Sequence, residues 1–362
     1  MNEVGTDGPL LIHILRHPDA AASLDDASWG LLLRQARSAN VIGRTLMAVD
    51  SCIPSAQWPL RAQQVFLAEK NVARHRSQSL HWEVEGLSRT LALVGVRPIL
   101  LKGAAYVLDE QSFAQYRHFG DIDILVPRPK LDEVEQLLTV NGWLTTKSDP
   151  YDQQYFRRWM HELPPMQHLH RGTSLDVHHA ILPLTARFRP DSRLLLDSAR
   201  QARGLALVDV LSPVDMFLHA AAHLFFEGEH ENALRNLLDL HDLLERFTCA
   251  QSFTVPELVD RSLDLNLSAV LALASRYLER IFRLAVAQEI SKILRDRGMV
   301  LRYIRWNDWL FDAIFLGFHS SHRPPLISLA RKTLYLRGHV LRMPLGLLAW
   351  HLLRKARRSA PK

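Results

Sequence analysis

Three carboxylates carry the chemistry that this sequence offers. Asp121 and Asp123 lie two residues apart in Asp121-Ile-Asp-Ile-Leu-Val126, an alternating segment that stops at Pro127. Such alternation predicts a strand, so the two acids project from one face and Ile122, Ile124 and Val126 from the other. Neighbouring carboxylates repel unless a cation lies between them. A bare Asp-x-Asp also fits a solvent-facing strand, so the context has to decide. Upstream, Ile99-Leu-Leu-Lys-Gly-Ala reads as a buried strand running into a turn and a helix. Gly103 there would let backbone approach a phosphate, the helix N-terminus would offer free N–H groups, and Lys102 adds a positive charge. Downstream, Leu175-Asp-Val-His178 puts a third acid, Asp176, on another predicted strand. Phosphoryl-type transfer needs this set: metal ions bridging the phosphates, and a carboxylate near the attacking hydroxyl.

Other residues have a functional and a plain reading. Arg117, four residues before Asp121, can hold a triphosphate bidentately, or be a loop arginine in water. His178 should share a strand face with Asp176, and His179 should point the other way. His219 and His223 stand i,i+4 on a predicted helix, a spacing that can chelate zinc, but the glutamate of a zinc-protease helix is absent; two histidines packing one helix face is the plain reading. Arg235 and Asp239 are also i,i+4 and predict a helix ion pair.

Ile99-Leu-Leu-Lys-Gly-Ala, Tyr116-Arg-His-Phe-Gly-Asp-Ile-Asp-Ile-Leu-Val126 and Leu175-Asp-Val-His178 together resemble a family of uncharacterised bacterial nucleotidyltransferases in the DNA polymerase beta-like superfamily. The resemblance extends over helices on both sides, including Leu234-Arg-Asn-Leu-Leu-Asp239, and spans about residues 20 to 250. It implies a glycine-turn motif at Lys102-Gly103-Ala104, a metal pair at Asp121 and Asp123, and a third acid at Asp176. It also implies Mg²⁺-dependent transfer of a nucleoside monophosphate from an NTP. The superfamily's turn more often reads glycine then serine. Ala104 lacks that hydroxyl, and Lys102 would compensate. The resemblance also raises Arg235 and Asp239 as residues facing the cleft.

These residues need elements to hold them. Residues 1–95 read as a helical region, with apolar residues three and four apart around Trp29 and from Leu60 to Val94. Residues 96–182 read as a small mixed-sheet α/β core. Its expected strands are Val96–Leu101, Asp121–Val126, Trp143–Thr146 and a hairpin of Met166–His170 with Ser174–Ile181 across Arg171-Gly172-Thr173. A helix over Lys130–Val140, capped by Asn141-Gly142, lies among them. The helical period returns in 213–226, 231–247, 255–264 and 267–285, so 183–322 is a second helical region, and 323–362 a basic helical tail. The fold class expected is α+β, the nucleotidyltransferase core flanked by helical regions.

Composition narrows the setting. The chain has 362 residues, 48% of them hydrophobic, enough for a sizeable core. Two distant cysteines, Cys52 and Cys249, build neither a disulfide framework nor a CxxC metal site, so a reducing cytoplasm is expected. The acidic, unbasic start and the lack of a long apolar run argue against a signal peptide or membrane span. The net charge of +6 is uneven: Ala313–Lys362 holds ten Lys/Arg and no acid, and the rest is net −4. That tail, with Met343 and Trp350 among its arginines, can meet an anionic membrane or nucleic acid, or be a packed helix pair with solvated cations.

The expected activity is nucleotidyl transfer to an unknown acceptor, whether small molecule, tRNA or protein. One alternative is a nucleotide-sugar glycosyltransferase with an Asp-x-Asp motif, but such enzymes place several βα units before that motif, and here one strand precedes it. Another is a non-catalytic nucleotide-binding protein of the same fold, against which the retention of all three acids argues.

Overall fold

The computed structural model describes residues 8–109, 111–147, 149–226, 228, 230–298, 304–348 and 350. The chain opens with four helices: α1 (Leu10–Arg16), α2 (Asp26–Ser38), α3 (Ile42–Asp50) and α4 (Leu60–Ala92). Asp25 caps α2 by accepting from the Ser28 N–H. Then comes the sheet region: β1 (Ile99–Leu101), α5 (Lys102–Leu108), β2 (Asp121–Leu125), α6 (Leu131–Val140), β3 (Trp143–Thr145), α7 (Pro150–Trp159), β4 (Met166–His168), β5 (Ser174–His178), α8 (Ser192–Asp197), β6 (Arg200–Gln201) and β7 (Asp209–Val210). The chain continues as α9 (Pro213–Phe226), α10 (Ala233–Cys249), α11 (Val255–Asp264), α12 (Ser268–Tyr277), α13 (Ala285–Asp296), α14 (Ile304–Leu316) and α15 (Ile327–Arg342).

The α+β expectation holds, with one seven-stranded mixed sheet in the order β3-β4-β5-β2-β1-β7-β6. Its centre is buried: β1 is wholly inside, and β2 is buried from Ile122 to Leu125. β2 runs parallel to β5 and antiparallel to β1. The hairpin expected around Arg171-Gly172-Thr173 forms as β4 and β5, with Gly172 at φ +70°. β6 and β7, which lie within the 183–322 stretch read as helical, extend the sheet beyond β1. One hydrophobic cluster joins the sheet to the helices on both sides.

Two helical expectations change. The segment 267–285 is not one helix: α12 ends in a π-helical turn at Leu278–Phe282, and Arg283 at φ +60° reverses the chain into α13. The π turn keeps Leu278, Ile281 and Phe282 inside. α7 had no apolar period to reveal it, because Tyr151 is its one buried residue. It is set instead by Asp149, which caps the Tyr151 N–H, and by Pro150 in its first turn. In contrast, α11 forms over 255–264 as its period predicts, and Thr254 and Glu257 close both arms of a capping box at its start.

The basic tail is in part packed structure. α15 lies against α14 and α9. Arg337 donates to the Phe225 carbonyl at 2.7 Å, and Thr185 Oγ1 donates to the Arg342 carbonyl at 2.7 Å. Residues 349 and 351–362 of the tail reading lie outside the described residues. Among the described residues no helix is long and apolar enough to cross a membrane.

Candidate functional site

The register of β2 on β5 brings the three acids together. Asp123 and Asp176 are direct partners across this parallel pair, and Asp121 is two residues back along β2. One carboxylate oxygen from each of Asp121, Asp123 and Asp176 lies within 4.8 Å of the others. Asp121 is exposed, Asp176 half-buried and Asp123 buried. All three line a cleft of about 610 Å³.

Their electrostatics differ. Burial alone would raise Asp123, but the Lys102 ammonium and His178 outweigh it and hold this carboxylate well below the usual range. Lys102 Nζ donates to Asp123 Oδ1 at 2.8 Å, and His178 Nε2 lies 3.0 Å from the same oxygen. Although the residue is exposed, the Asp121 carboxyl at the cleft is pushed up by desolvation and then by Asp123. Asp176 is raised to about 7, by burial first and then by the charges of Asp123 and Glu162. Oxygen donors crowded at mutual cost are what a hard divalent cation relieves, so the trio fits Mg²⁺.

The junction of β1 and α5 sets Lys102. Its backbone is left-handed at φ +48°, a conformation that costs a non-glycine residue about 1–3 kcal/mol. Gly103 has a structural reason to lack a side chain. A Cβ there would lie 2.0 Å from Nη1 of Arg117 and 3.0 Å from Cβ of Phe119. Arg117 is neither a solvated loop residue nor a detached cation. It is 8% exposed, its Nε donates to Asp239 Oδ2 at 2.8 Å, and its guanidinium lies over the Tyr106 ring at 5.4 Å.

The expected Arg235–Asp239 pair is not formed. Asp239 is already held by Arg44 from α3 and by Arg117, both buried. Arg235 turns into the cleft, with contacts of 3.2–3.3 Å to the His118 carbonyl and the Asn236 side chain and no carboxylate partner among the described ion pairs. Burial and then the neighbouring Arg117 lower its pKa to about 10. Arg235 is thus a half-buried cation beside a like charge, an arrangement that an anion would relieve.

Glu162 and His161, just after α7, also reach the site. His161, Glu162 and His178 bring ligand atoms within 4.8 Å of one another. His178 Nδ1 is 3.4 Å from Glu162 Oε2, near enough for charge but not aligned as a hydrogen bond. Nothing in the spacing of His161-Glu162 marked them, because a loop delivers them. Arg235 did leave a trace: Asn232, Arg235, Asn236 and Asp239 form a polar stripe on α10, whose other positions are largely buried and apolar, and all four line the cleft. His219 is buried and kept neutral, chiefly by that burial, while His223 borders the cleft.

A family model described as "Uncharacterised nucleotidyltransferase" matches residues 25–283, which include every acid and cation of the site except Arg342. The chain belongs to this nucleotidyltransferase family. No curated protein and no solved structure matches it. The nucleotidyltransferase match ends at the break after α12, so α13–α15 lie beyond it, yet α15 sends Arg342 into the cleft.

Proposed function

We propose that the chain transfers a nucleoside monophosphate from an NTP to an acceptor hydroxyl, with Mg²⁺ at Asp121, Asp123 and Asp176. The observation that carries this reading is the meeting of three crowded carboxylates with Arg235, a cation without an ion pair among the described residues, in one cleft. Lys102 and Arg235 would take the phosphates, and Arg117, held by Asp239, would add positive charge at the cleft wall. Magnesium bound there supplies neutralisation of phosphate charge. The acceptor oxygen forms a bond to the α-phosphorus, the bond to the β-phosphate oxygen breaks, and pyrophosphate leaves with the electron pair. The hydroxyl proton passes to the Asp176 carboxylate, which also orients that hydroxyl.

Asp123 is the residue on which Lys102 and His178 converge, so Asp123→Asn tests the site. Asparagine keeps the shape and removes the charge. Incubation with the four NTPs and cell extract, followed by mass spectrometry, should give a mass gain of one nucleotide in an acceptor. Asp123→Asn should abolish that gain while the protein stays folded. Wild-type turnover by the variant would move the metal site elsewhere. Parallel incubation with UDP-sugars tests the glycosyltransferase alternative.

A further inference from the structure

α4 has a middle without a core to rest on. Its buried residues are Ala62 and Phe66 near one end, and Leu80 with five others towards the opposite end. From Leu67 to Ser79 no side chain is buried, and Leu67 and Val72 stand in solvent. This stretch of the helix is basic, and Lys70 meets the Asp50 carboxylate of α3 at 3.8 Å. Between Glu69 and Glu83 the helix carries Lys70, Arg74, His75, Arg76 and His81 and no carboxylate.

His75, Arg76, Ser79 and Trp82 of this helix form one wall of a groove of about 640 Å³, with Arg171 and Thr173 opposite. The groove ends at Phe119, Gly120 and Asp121, which it shares with the cleft. Trp82 is 61% exposed. Its ring is backed by the Arg171 guanidinium at 5.3 Å, and Arg171 is pinned by Glu83 at 2.7 Å. Nη1 of Arg76 is enclosed and has no hydrogen-bond partner among the described residues.

We propose that this groove binds a single-stranded nucleic acid, one base stacked on Trp82 and a backbone phosphate on Arg76, so that the strand's terminal hydroxyl is the acceptor at Asp176. This rests on the nucleotidyl-transfer reading. A backed, flat indole beside guanidinium groups suits bases and phosphates together. An acidic protein segment would use the cations but not the platform. The step is the one above: the terminal oxygen bonds to the α-phosphorus, pyrophosphate leaves, and the strand grows by one nucleotide.

Fluorescence anisotropy with a tagged oligoribonucleotide of about 12 nucleotides tests this on the full chain. The wild type should bind, more weakly as salt rises. Trp82→Ala should weaken binding about tenfold and Trp82→Phe should restore most of it, which separates a lost platform from a lost fold. Arg76→Ala should lower both affinity and the salt slope, the slope by about 1. No binding by the wild type overturns the proposal. So does unchanged affinity in Trp82→Ala, which would mean adsorption of any polyanion. Calorimetry with NTP and Mg²⁺ separates the two readings. NTP binding without strand binding removes this inference alone. Strand binding without NTP binding keeps the groove and removes the transfer.

Discussion

Gly103→Ala should destabilise the protein through Arg117 rather than through a phosphate. The added Cβ would lie 2.0 Å from Nη1 and 3.1 Å from Cζ of Arg117, so the guanidinium must move. It cannot move freely, because it is bound to Asp239 with both side chains almost fully buried, 6% and 4% exposed. Removing one partner of such a pair costs about 3–5 kcal/mol. Here Arg117 is displaced rather than deleted, and Asp239 keeps Arg44, so about 2–3 kcal/mol is expected. At about 2.1 cal/mol/K per residue, that lowers Tm by about 3–4 °C. In an Arg117→Ala background the two nearest Arg117 atoms are gone, and Phe119 Cβ at 3.0 Å remains. Gly103→Ala should then cost under about 1 kcal/mol. A double-mutant cycle by denaturant unfolding should give a coupling of about 2 kcal/mol. Additivity would refute this account. A Gly103→Ala protein with wild-type Tm and weakened NTP affinity would return the glycine to the phosphates.

Arg235→Gln should weaken NTP binding about tenfold by calorimetry, because a charge-assisted phosphate contact is lost. It should not lower Tm, since burial and Arg117 oppose the charge in the empty cleft; a Tm loss as large as that of Gly103→Ala would make Arg235 structural. The Asp176 carboxyl, raised to about 7, binds a proton in the metal-free fold. Its contribution to stability therefore falls as pH rises from about 4 to 7, and cation binding must expel the proton. Thermal stabilisation by Mg²⁺ should be small near pH 5 and full above about pH 7, and a flat Mg²⁺ response across that range would refute the assignment.

The core was legible where local pattern and burial agree. Alternation in Asp121–Val126 put Asp121 and Asp123 on one face, and the same rule put His178 beside Asp176. The Asn141-Gly142 stop of α6 is a local device, so it read directly; Gly142 sits at φ +87°. α7 was invisible because one side chain of it is buried. The 267–285 period ran through the break at Arg283, because Leu278, Ile281 and Phe282 stay buried on either side of a change in helical type.

The sequence by itself determined the chemistry: three acids, a lysine at a strand end, and the elements that carry them. Strand periodicity and residue type are properties of neighbours along the chain, so no partner was needed to see them. Tertiary structure alone decided how the charges pair. Asp239 had an arginine one helical turn away, yet it holds Arg44 and Arg117, which arrive from α3 and from the loop before β2. That choice frees Arg235 for the cleft and gives Gly103 its reason to be glycine. Buried ion pairs form between whichever groups the packing brings within about 3 Å and shields from water, and separation along the chain does not predict that.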